Sequence, residues 1–291
     1  MATLKPSTEG RVVEQRVIQT RGVTPRRALG LLLLLIFLST LVAGGCQDRV
    51  QAQRLSLKAQ ALWDSGRYED AARNFVTLSE LYPNTDAAEQ ALFFAANLYH
   101  HFLQDLPQAG RHYQHLIVTY PQGPRSDEAK ENLAAVYEAT PNSRHRALQI
   151  YRQLLLSESY RERRDILRFK IGRLNLELGR MDQARLMFRD LLSEHPDSPY
   201  SPETTYLVGY SYYLEKRYEL ADRVFEYTAK NFPDTPLAAQ ARYFIADTLE
   251  ERGEMRKALA AFRALQKAFP NKAVVGKRID ALQKRIRRGV R

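Results

Sequence analysis

The chain has 291 residues, and 44% of them are hydrophobic, which is a globular composition sufficient for one or two ordinary domains. A single cysteine, Cys46, excludes an intramolecular disulfide and any metal site built from several cysteines. The net charge of +11 is carried by the two ends. The first 45 residues contain six Lys/Arg against two Glu, the last 20 contain eight Lys/Arg against one Asp, and the part between them is neutral. This is not the charge distribution of a nucleic-acid-binding domain, and we expect no nucleic-acid partner.

The N-terminal region predicts attachment to a membrane. An uncharged apolar run, residues 28–45, ends in small residues directly before Cys46, and Gln47 follows. This arrangement resembles the lipobox of bacterial lipoproteins. The resemblance implies that residues 1–45 are a basic leader and signal segment, that Cys46 is lipidated and that residues 46–51 are a linker. Because Gln47 rather than Asp follows the cysteine, it also implies an outer-membrane location facing the periplasm. The alternative is an inner-membrane protein anchored by residues 28–45, since eighteen apolar residues are close to the length that spans a bilayer.

The body of the chain contains a pattern that recurs about every 37 residues. The prolines at positions 121, 196, 233 and 270 are separated by 75, 37 and 37 residues. A fixed period of this length is typical of a stacked repeat array. The best-matched units share a glycine, an alanine, a phenylalanine and a closing proline: Gly66, Ala71, Phe75 and Pro83; Gly179, Ala184, Phe188 and Pro196; Gly253, Ala258, Phe262 and Pro270.

Each unit is predicted to form two helices. In the fifth unit, Gly209 and Ala221 stand where two helices must cross closely, because a larger side chain would push the axes apart. Small residues at the crossing, an aromatic beside it, glycine at the turn and proline at the end form the tetratricopeptide pattern. The chain resembles that family over residues 52–271. The resemblance implies an all-α fold, a right-handed α-solenoid of about six tetratricopeptide repeats, closed by a basic capping helix in residues 272–291. We expect repeat 2 to carry about two extra residues near Phe102–Pro107.

The junctions between units, such as YPNTDAAEQA and FPDTPLAAQA, resemble those of periplasmic tetratricopeptide proteins. The resemblance is chiefly to the outer-membrane lipoprotein of the β-barrel assembly machine, and it is closest over residues 52–83. It implies a lipid-anchored periplasmic scaffold that binds other proteins in outer-membrane protein assembly or envelope organisation. Three alternatives stay open: a type IV pilus pilotin-like or TolA-binding-like repeat protein, an inner-membrane-anchored repeat protein, and a polyanion binder acting through the basic tail.

The family resemblance also implies a partner-binding groove lined by the first helix of each repeat. Carried onto this sequence, the groove positions are Trp63, Tyr99, Phe169, Tyr206, Tyr210, Tyr213 and Tyr243. The spacing of Tyr206, Tyr210 and Tyr213 predicts that they share one helix face, and tyrosine is a favoured anchor at interfaces. For the polyanion alternative, the predicted contacts are Lys284, Arg285, Arg287 and Arg288.

No motif in the sequence predicts catalysis. There is no glycine-rich phosphate loop and no nucleophile elbow, so we predict that the chain is not an enzyme and needs no cofactor. Four of the six histidines fall in repeat 2, and His112 and His115 are three residues apart. No acid or cysteine joins them at the spacing of metal ligands, so we predict no metal site.

Overall fold

The computed structural model describes residues 47–267 and 269–289. The chain divides between Gln51 and Ala52, and the fold given below is that of the second unit, Ala52–Arg291. The apolar run 28–45 and Cys46 lie outside the described residues, so the predicted leader and lipid attachment stay predictions. Among the described helices, none combines the length and the hydropathy that crossing a bilayer requires.

The described part of the array contains thirteen α-helices and no β-strand. The first, α1, covers 52–64 and is part of a helix that runs over 47–64. The others are α2 (Tyr68–Leu81), α3 (Asp86–Asn97), α4 (Leu106–Thr119), α5 (Ser126–Ala139), α6 (Arg144–Leu155), α7 (Arg164–Glu177), α8 (Met181–Glu194), α9 (Ser201–Leu214), α10 (Tyr218–Asn231), α11 (Pro236–Glu251), α12 (Met255–Leu265) and α13 (Lys272–Arg287). A π-helix, Leu98–Phe102, follows α3, and a 3₁₀ helix, Glu158–Arg163, precedes α7.

The helices are arranged as six successive pairs, from α1 with α2 to α11 with α12. Ala52 and Ala59 of α1 belong to the same apolar cluster as Ala71 and Phe75 of α2. From α2 onward each helix packs against the next one along the chain, and α9 also contacts α7 and α11, the first helices of the neighbouring repeats. The first helices of repeats 4 to 6 therefore lie side by side. The predicted all-α tetratricopeptide architecture is confirmed.

The buried core recurs with the same period as the sequence. The second helix of each pair contributes one alanine and one aromatic ring, all buried: Ala71, Ala109, Ala147, Ala184, Ala221 and Ala258, with Phe75, Tyr113, Tyr151, Phe188, Phe225 and Phe262. Burial of one such ring contributes roughly 1.5–3 kcal/mol. The facing position on the first helix is always Ala or Gly. A Cβ on Gly172 would lie 2.3 Å from the ring of Phe188, and one on Gly209 would lie 2.9 Å from the ring of Phe225. These two glycines are therefore required by the close approach of the helices.

One residue in each turn between paired helices adopts the left-handed conformation. Three are the predicted glycines, Gly66, Gly179 and Gly253, with φ between 74° and 78°. Repeats 2, 3 and 5 use residues with side chains instead: Gln104 (φ 55°), Asn142 (φ 61°) and Lys216 (φ 58°). The turn is thus kept by the fold even where the residue that adopts it most easily is absent.

The extra length of repeat 2 is one residue rather than the predicted two. The left-handed residues Gly66 and Gln104 are 38 apart, whereas those of repeats 4, 5 and 6 are 37 apart. The additional residue is accommodated inside the helix as the π-helix Leu98–Phe102. A π-helix takes up one residue without a change in the direction of the chain, which is why the next helix still packs normally.

The helix α13 closes the array. Its residues Val275, Ile279 and Leu282 are buried and belong to the same apolar cluster as Phe262 and Leu265 of α12. Because the last pair of a repeat array would otherwise expose an apolar side, a terminal helix with one polar side is needed. The predicted capping role of this helix follows from these contacts.

Candidate functional site

Three tyrosines of α9 form a surface that we call the tyrosine face: Tyr206, Tyr210 and Tyr213. The planes of Tyr206 and Tyr210 differ by 7° with ring centroids 6.3 Å apart, and those of Tyr210 and Tyr213 differ by 13° with centroids 6.2 Å apart. All three residues are half-buried. The tyrosine face is therefore a row of nearly parallel rings that is partly open to solvent.

Phe244 of α11 supports this row from the next repeat. Its ring centroid lies 6.1, 5.4 and 4.9 Å from those of Tyr206, Tyr210 and Tyr213, each time edge-to-face. It also stacks on the buried Phe225 at 5.4 Å. Edge-to-face aromatic pairs contribute about 0.5–1.5 kcal/mol each beyond their area. The tyrosine rings are thus held in place before any partner arrives, so binding would cost little side-chain entropy.

The polar end of the row is fixed by a buried carboxylate. The Tyr213 hydroxyl donates a hydrogen bond to Oδ2 of Asp247 at 2.5 Å. Asp247 is 5% exposed and also pairs with Arg278 of α13. Burial raises the pKa of the Tyr206 phenol and of the Tyr213 phenol. Both hydroxyls are therefore protonated at neutral pH.

The other predicted groove residues lie elsewhere or are covered. Trp63 is half-buried, with its ring 5.5 Å from that of Phe94. Tyr99 is also half-buried and stacks on the His112 ring at 5.2 Å. Both belong to repeats 1 and 2, so they do not extend the tyrosine face.

Tyr243 and Phe169 flank the tyrosine face on the neighbouring first helices. Tyr243 lies 5.8 Å from Phe244 and continues the aromatic packing into repeat 6. Phe169 is only 7% exposed and stacks against Tyr200 at 4.9 Å. The expectation that Phe169 offers surface to a partner is corrected here, because Tyr200, at the start of α9, covers its ring.

The sequence reasoning missed Phe244 and Asp247, which hold the tyrosine face in place. A signal for both was present. Phe94 and Asn97 stand 150 residues before Phe244 and Asp247, at the same repeat positions. An alignment of repeats 1 and 2 with repeats 5 and 6 would have marked these positions as inward-facing.

The predicted polyanion contacts divide into two groups. Nη1 of Arg285 lies 2.6 Å from Oε1 of Glu250 of α11, so this side chain fastens α13 to the repeat before it. Lys284, Arg287 and Arg288 are exposed. The predicted contact through Arg285 is therefore already occupied, and three of the four basic residues face solvent.

Three of the four histidines of repeat 2 stack on a neighbouring ring, and the fourth, His115, is exposed. His100 stacks on His101 with centroids 4.2 Å apart, and His112 stacks on Tyr99. Within the described residues there is no group of three or more His, Cys, Asp or Glu side chains that could hold a metal ion.

Comparisons with known proteins agree with this architecture. Models of the tetratricopeptide repeat match residues 56–124, 167–198 and 206–273, which together are more than half of the chain. A relative, the outer membrane protein assembly factor BamD of Caulobacter vibrioides, is 28% identical over 120 residues. That match covers 38% of this chain and only 39% of the relative's length.

Solved structures show the same fold at low sequence identity. A tetratricopeptide repeat protein from Parabacteroides merdae superimposes with a TM-score of 0.53 at 14% identity, covering 80% of this chain and 98% of that one. PilW, a type IV pilus biogenesis factor, superimposes with a TM-score of 0.51 at 15% identity, with the same two coverages. Repeat proteins of this kind are non-enzymatic scaffolds that bind other proteins. On the matched repeats and the recurring core, this chain belongs to the tetratricopeptide-repeat family.

Proposed function

We propose that this chain is a lipid-anchored scaffold of the bacterial outer membrane, facing the periplasm, that binds a partner protein of outer-membrane protein assembly through its tyrosine face. The observation that carries the proposal is the row of three half-buried tyrosines held from behind by Phe244. The bound element is an extended or helical segment of the partner that lays apolar side chains against the rings.

The energetics of interfaces support this use of the tyrosine face. A tyrosine that acts as a binding hot spot contributes about 2 kcal/mol, which is roughly a 30-fold change in Kd. Such residues are most effective where they are rigid and surrounded by packed side chains. Tyr206 and Tyr210 meet both conditions, since their rings pack edge-to-face against Phe244. Their hydroxyls make no hydrogen bond within the part of the chain that the structure describes.

The similarity to BamD supports the assignment to outer-membrane protein assembly. Because that similarity covers 39% of the relative's length, it concerns part of the relative only. The fold shared with PilW is found at 15% identity and carries no functional argument. Binding to a type IV pilus component is the alternative that the experiment below separates from assembly.

The proposed lipid anchor at Cys46 would raise the local concentration of the scaffold at the membrane. Cys46 directly precedes residue 47, where the described helix begins, so the attachment point and the first repeat are close along the chain. A tethered binding site meets membrane-bound partners at a high effective concentration, and a modest affinity then suffices.

The experiment exchanges the tyrosine face for the surface of repeat 1. Tyr206→Ser with Tyr210→Gln introduces the residues found at the equivalent positions, Ser56 and Gln60. The full chain is isolated from native membranes, and co-purifying proteins are quantified by mass spectrometry. We expect recovery of outer-membrane assembly proteins to fall at least tenfold in the double variant, by loss of two anchors of about 2 kcal/mol each. Tyr227→Ala, which changes a 57% exposed tyrosine of α10, is the matched control and should bind normally.

Two results would contradict the proposal. Unchanged recovery of the same partners in the double variant would remove the tyrosine face from binding, and recovery of pilus components instead would remove the assembly function. The anchor is tested separately with Cys46→Ser, which should abolish labelling with a palmitate analogue because the thiol that carries the lipid is removed. An unmodified protein whose membrane-bound form still contains residues 28–45 would indicate a retained helix instead.

A further inference from the structure

A pocket lies between α4, α5 and α6 of repeats 2 and 3, and none of its lining residues belongs to the tyrosine face. Its volume is 460 Å³, within the range of roughly 300–1,000 Å³ that is typical of ligand pockets. Apolar side chains line much of it, among them Leu106, Pro107, Val136 and Tyr137. The pocket is large enough for an aromatic side chain.

A glycine inside α4 forms part of the wall of this pocket. Gly110 lines it, and its backbone is helical, so no left-handed conformation requires glycine here. A Cβ at this position would have Val136 as its nearest neighbour at 3.6 Å, which is an ordinary contact. This differs from Gly172 and Gly209, where a Cβ would collide with a buried ring. Glycine in a helix interior costs about 1 kcal/mol relative to alanine, and neither packing nor backbone geometry explains that cost at Gly110.

The equivalent pocket in repeats 4 and 5 has an arginine at the position of Gly110. Arg185 stands 75 residues after Gly110, and its side chain is 11% exposed. Its guanidinium lies 4.6 Å from the ring centroid of Tyr212, which is the counterpart of Tyr137. In repeats 4 and 5 the arginine over the tyrosine comes from the second helix of the preceding repeat, and the pocket there has a volume of 640 Å³. In repeats 2 and 3 the arginine over the tyrosine is Arg146, whose guanidinium lies 5.6 Å from the ring centroid of Tyr137, and the side of the ring next to Gly110 has no side chain from that glycine.

The two pockets also differ in charge. In repeats 4 and 5, Arg185 is paired with Asp182 and Glu215. In repeats 2 and 3, Arg111 and Arg146 line the pocket, and the residues described as lining it include no Asp or Glu. Both arginines are exposed, and neither forms an ion pair within the part of the chain that the structure describes. The pocket thus combines an apolar interior with uncompensated positive charge.

We propose that this pocket is a second docking site, which takes an aromatic side chain from a partner-protein segment whose neighbouring residues are carboxylates. The ring enters the space that Gly110 leaves beside Tyr137, and the flanking carboxylates pair with Arg111 and Arg146. Exposed ion pairs of this kind are individually weak, so the buried ring supplies most of the affinity and the charges supply orientation. With the tyrosine face, the scaffold would hold two segments at once.

The test titrates the detergent-solubilised full chain with a capped peptide, Glu-Asp-Phe-Asp-Glu, in which the phenyl ring carries fluorine for detection by NMR. Gly110→Leu fills the pocket, and we expect the affinity to fall at least tenfold. This variant replaces a helix-interior glycine by a better helix former, so thermal unfolding should not occur earlier than in the unmodified chain. Arg111→Gln with Arg146→Gln should weaken binding several-fold and reduce its dependence on salt.

Matched peptides and variants identify the site. A peptide with lysine in place of each acid, and one with serine in place of phenylalanine, should both bind at least tenfold more weakly. The Tyr206→Ser, Tyr210→Gln variant should bind the acidic peptide as the unmodified chain does, which separates this site from the tyrosine face. The proposal is overturned if Gly110→Leu binds the peptide normally, if the lysine peptide binds equally well, if the acidic peptide shows no binding, or if loss of the tyrosine face abolishes binding.

Discussion

Repeats 1 and 2 and repeats 5 and 6 share one core but present different surfaces. The same repeat model matches 56–124 and 206–273, and positions in these two regions correspond at a separation of 150 residues as far as the π-helix. Phe75 and Phe94 have ring centroids 5.5 Å apart, and their counterparts Phe225 and Phe244 are 5.4 Å apart. The spacing of these core rings is thus reproduced in the second region, whereas their interplanar angle is 59° in the first pair and 19° in the second.

The partly exposed positions of the two regions have diverged. Ser56 and Gln60 stand where repeat 5 carries Tyr206 and Tyr210. Since a core position is constrained by every neighbouring ring and an exposed one is not, the differences between equivalent repeats locate binding surface better than the similarities do. The tyrosine face is the clearest such difference between the two regions.

The largest effect on stability is expected at a core position where the two regions carry different residues. Gly209 faces Phe225, whereas its counterpart Ala59 faces Phe75. We expect Gly209→Ala to lower the free energy of unfolding by about 1–3 kcal/mol, because its Cβ would lie 2.9 Å from a fully buried ring. Urea denaturation measures this. The reciprocal change Ala59→Gly should cost about 1 kcal/mol through helix propensity alone. An unchanged stability in Gly209→Ala would show that the two helix crossings are equally wide.

A smaller effect is expected in the pH dependence of stability, which should differ between the two regions. Burial, assisted by repulsion from His101, lowers the pKa of His100 to about 4, whereas the unfolded chain titrates near 6.5. As the pH falls from 6.5 to 4, the unfolded state takes up the proton first, so stability decreases over that window. In the other region, burial raises the pKa of Glu250 of α11, so the contribution of this carboxyl to stability changes in the opposite direction.

Hydrogen exchange of repeat 2 at pH 7 and at pH 4.5 measures this difference. We expect a loss of about 1 kcal/mol on acidification after allowance for solvent screening, and a smaller loss in His100→Gln. Equal acid sensitivity in the variant would assign the pH dependence to other groups, of which His112, with a pKa also lowered by burial, is the first to test.

The smallest effect concerns the turns. Lys216 adopts φ 58°, where the counterpart Gly66 adopts φ 77°. We expect Lys216→Gly to raise the free energy of unfolding by about 0.5–1 kcal/mol, because relief of the left-handed strain exceeds the added flexibility of the unfolded chain. Gly66→Lys should lower it by a similar amount. Thermal unfolding of both variants decides the sign, and a destabilised Lys216→Gly would contradict this account of the turn.

Much of the fold could be predicted because the repeat pattern encodes it several times. Small residues at the crossing and a large ring beside it leave one packing arrangement for each pair, and the pattern recurs in six units. The turns of repeats 2, 3 and 5 could not be predicted in this way. A left-handed Gln104 or Lys216 costs only about 1–2 kcal/mol, which the packing of two helices outweighs.

The candidate site was predictable only in outline. The spacing of Tyr206, Tyr210 and Tyr213 is sufficient to place them on one helix face. The covering of Phe169 by Tyr200 and the support from Phe244 arise from side chains of adjacent repeats, and these contacts depend on how the repeats stack. Spacing within one helix holds no information about that stacking.

The π-helix Leu98–Phe102 has a consequence for how such an array can change over evolution. It confines a one-residue insertion to a single turn, so a change in the gene need not disturb any neighbouring unit. The same turn places Phe102 at the surface, 45% exposed and 4.6 Å from the ring of Tyr68. An insertion that leaves the interior intact can thus supply a new surface aromatic, from which selection can develop a further recognition site.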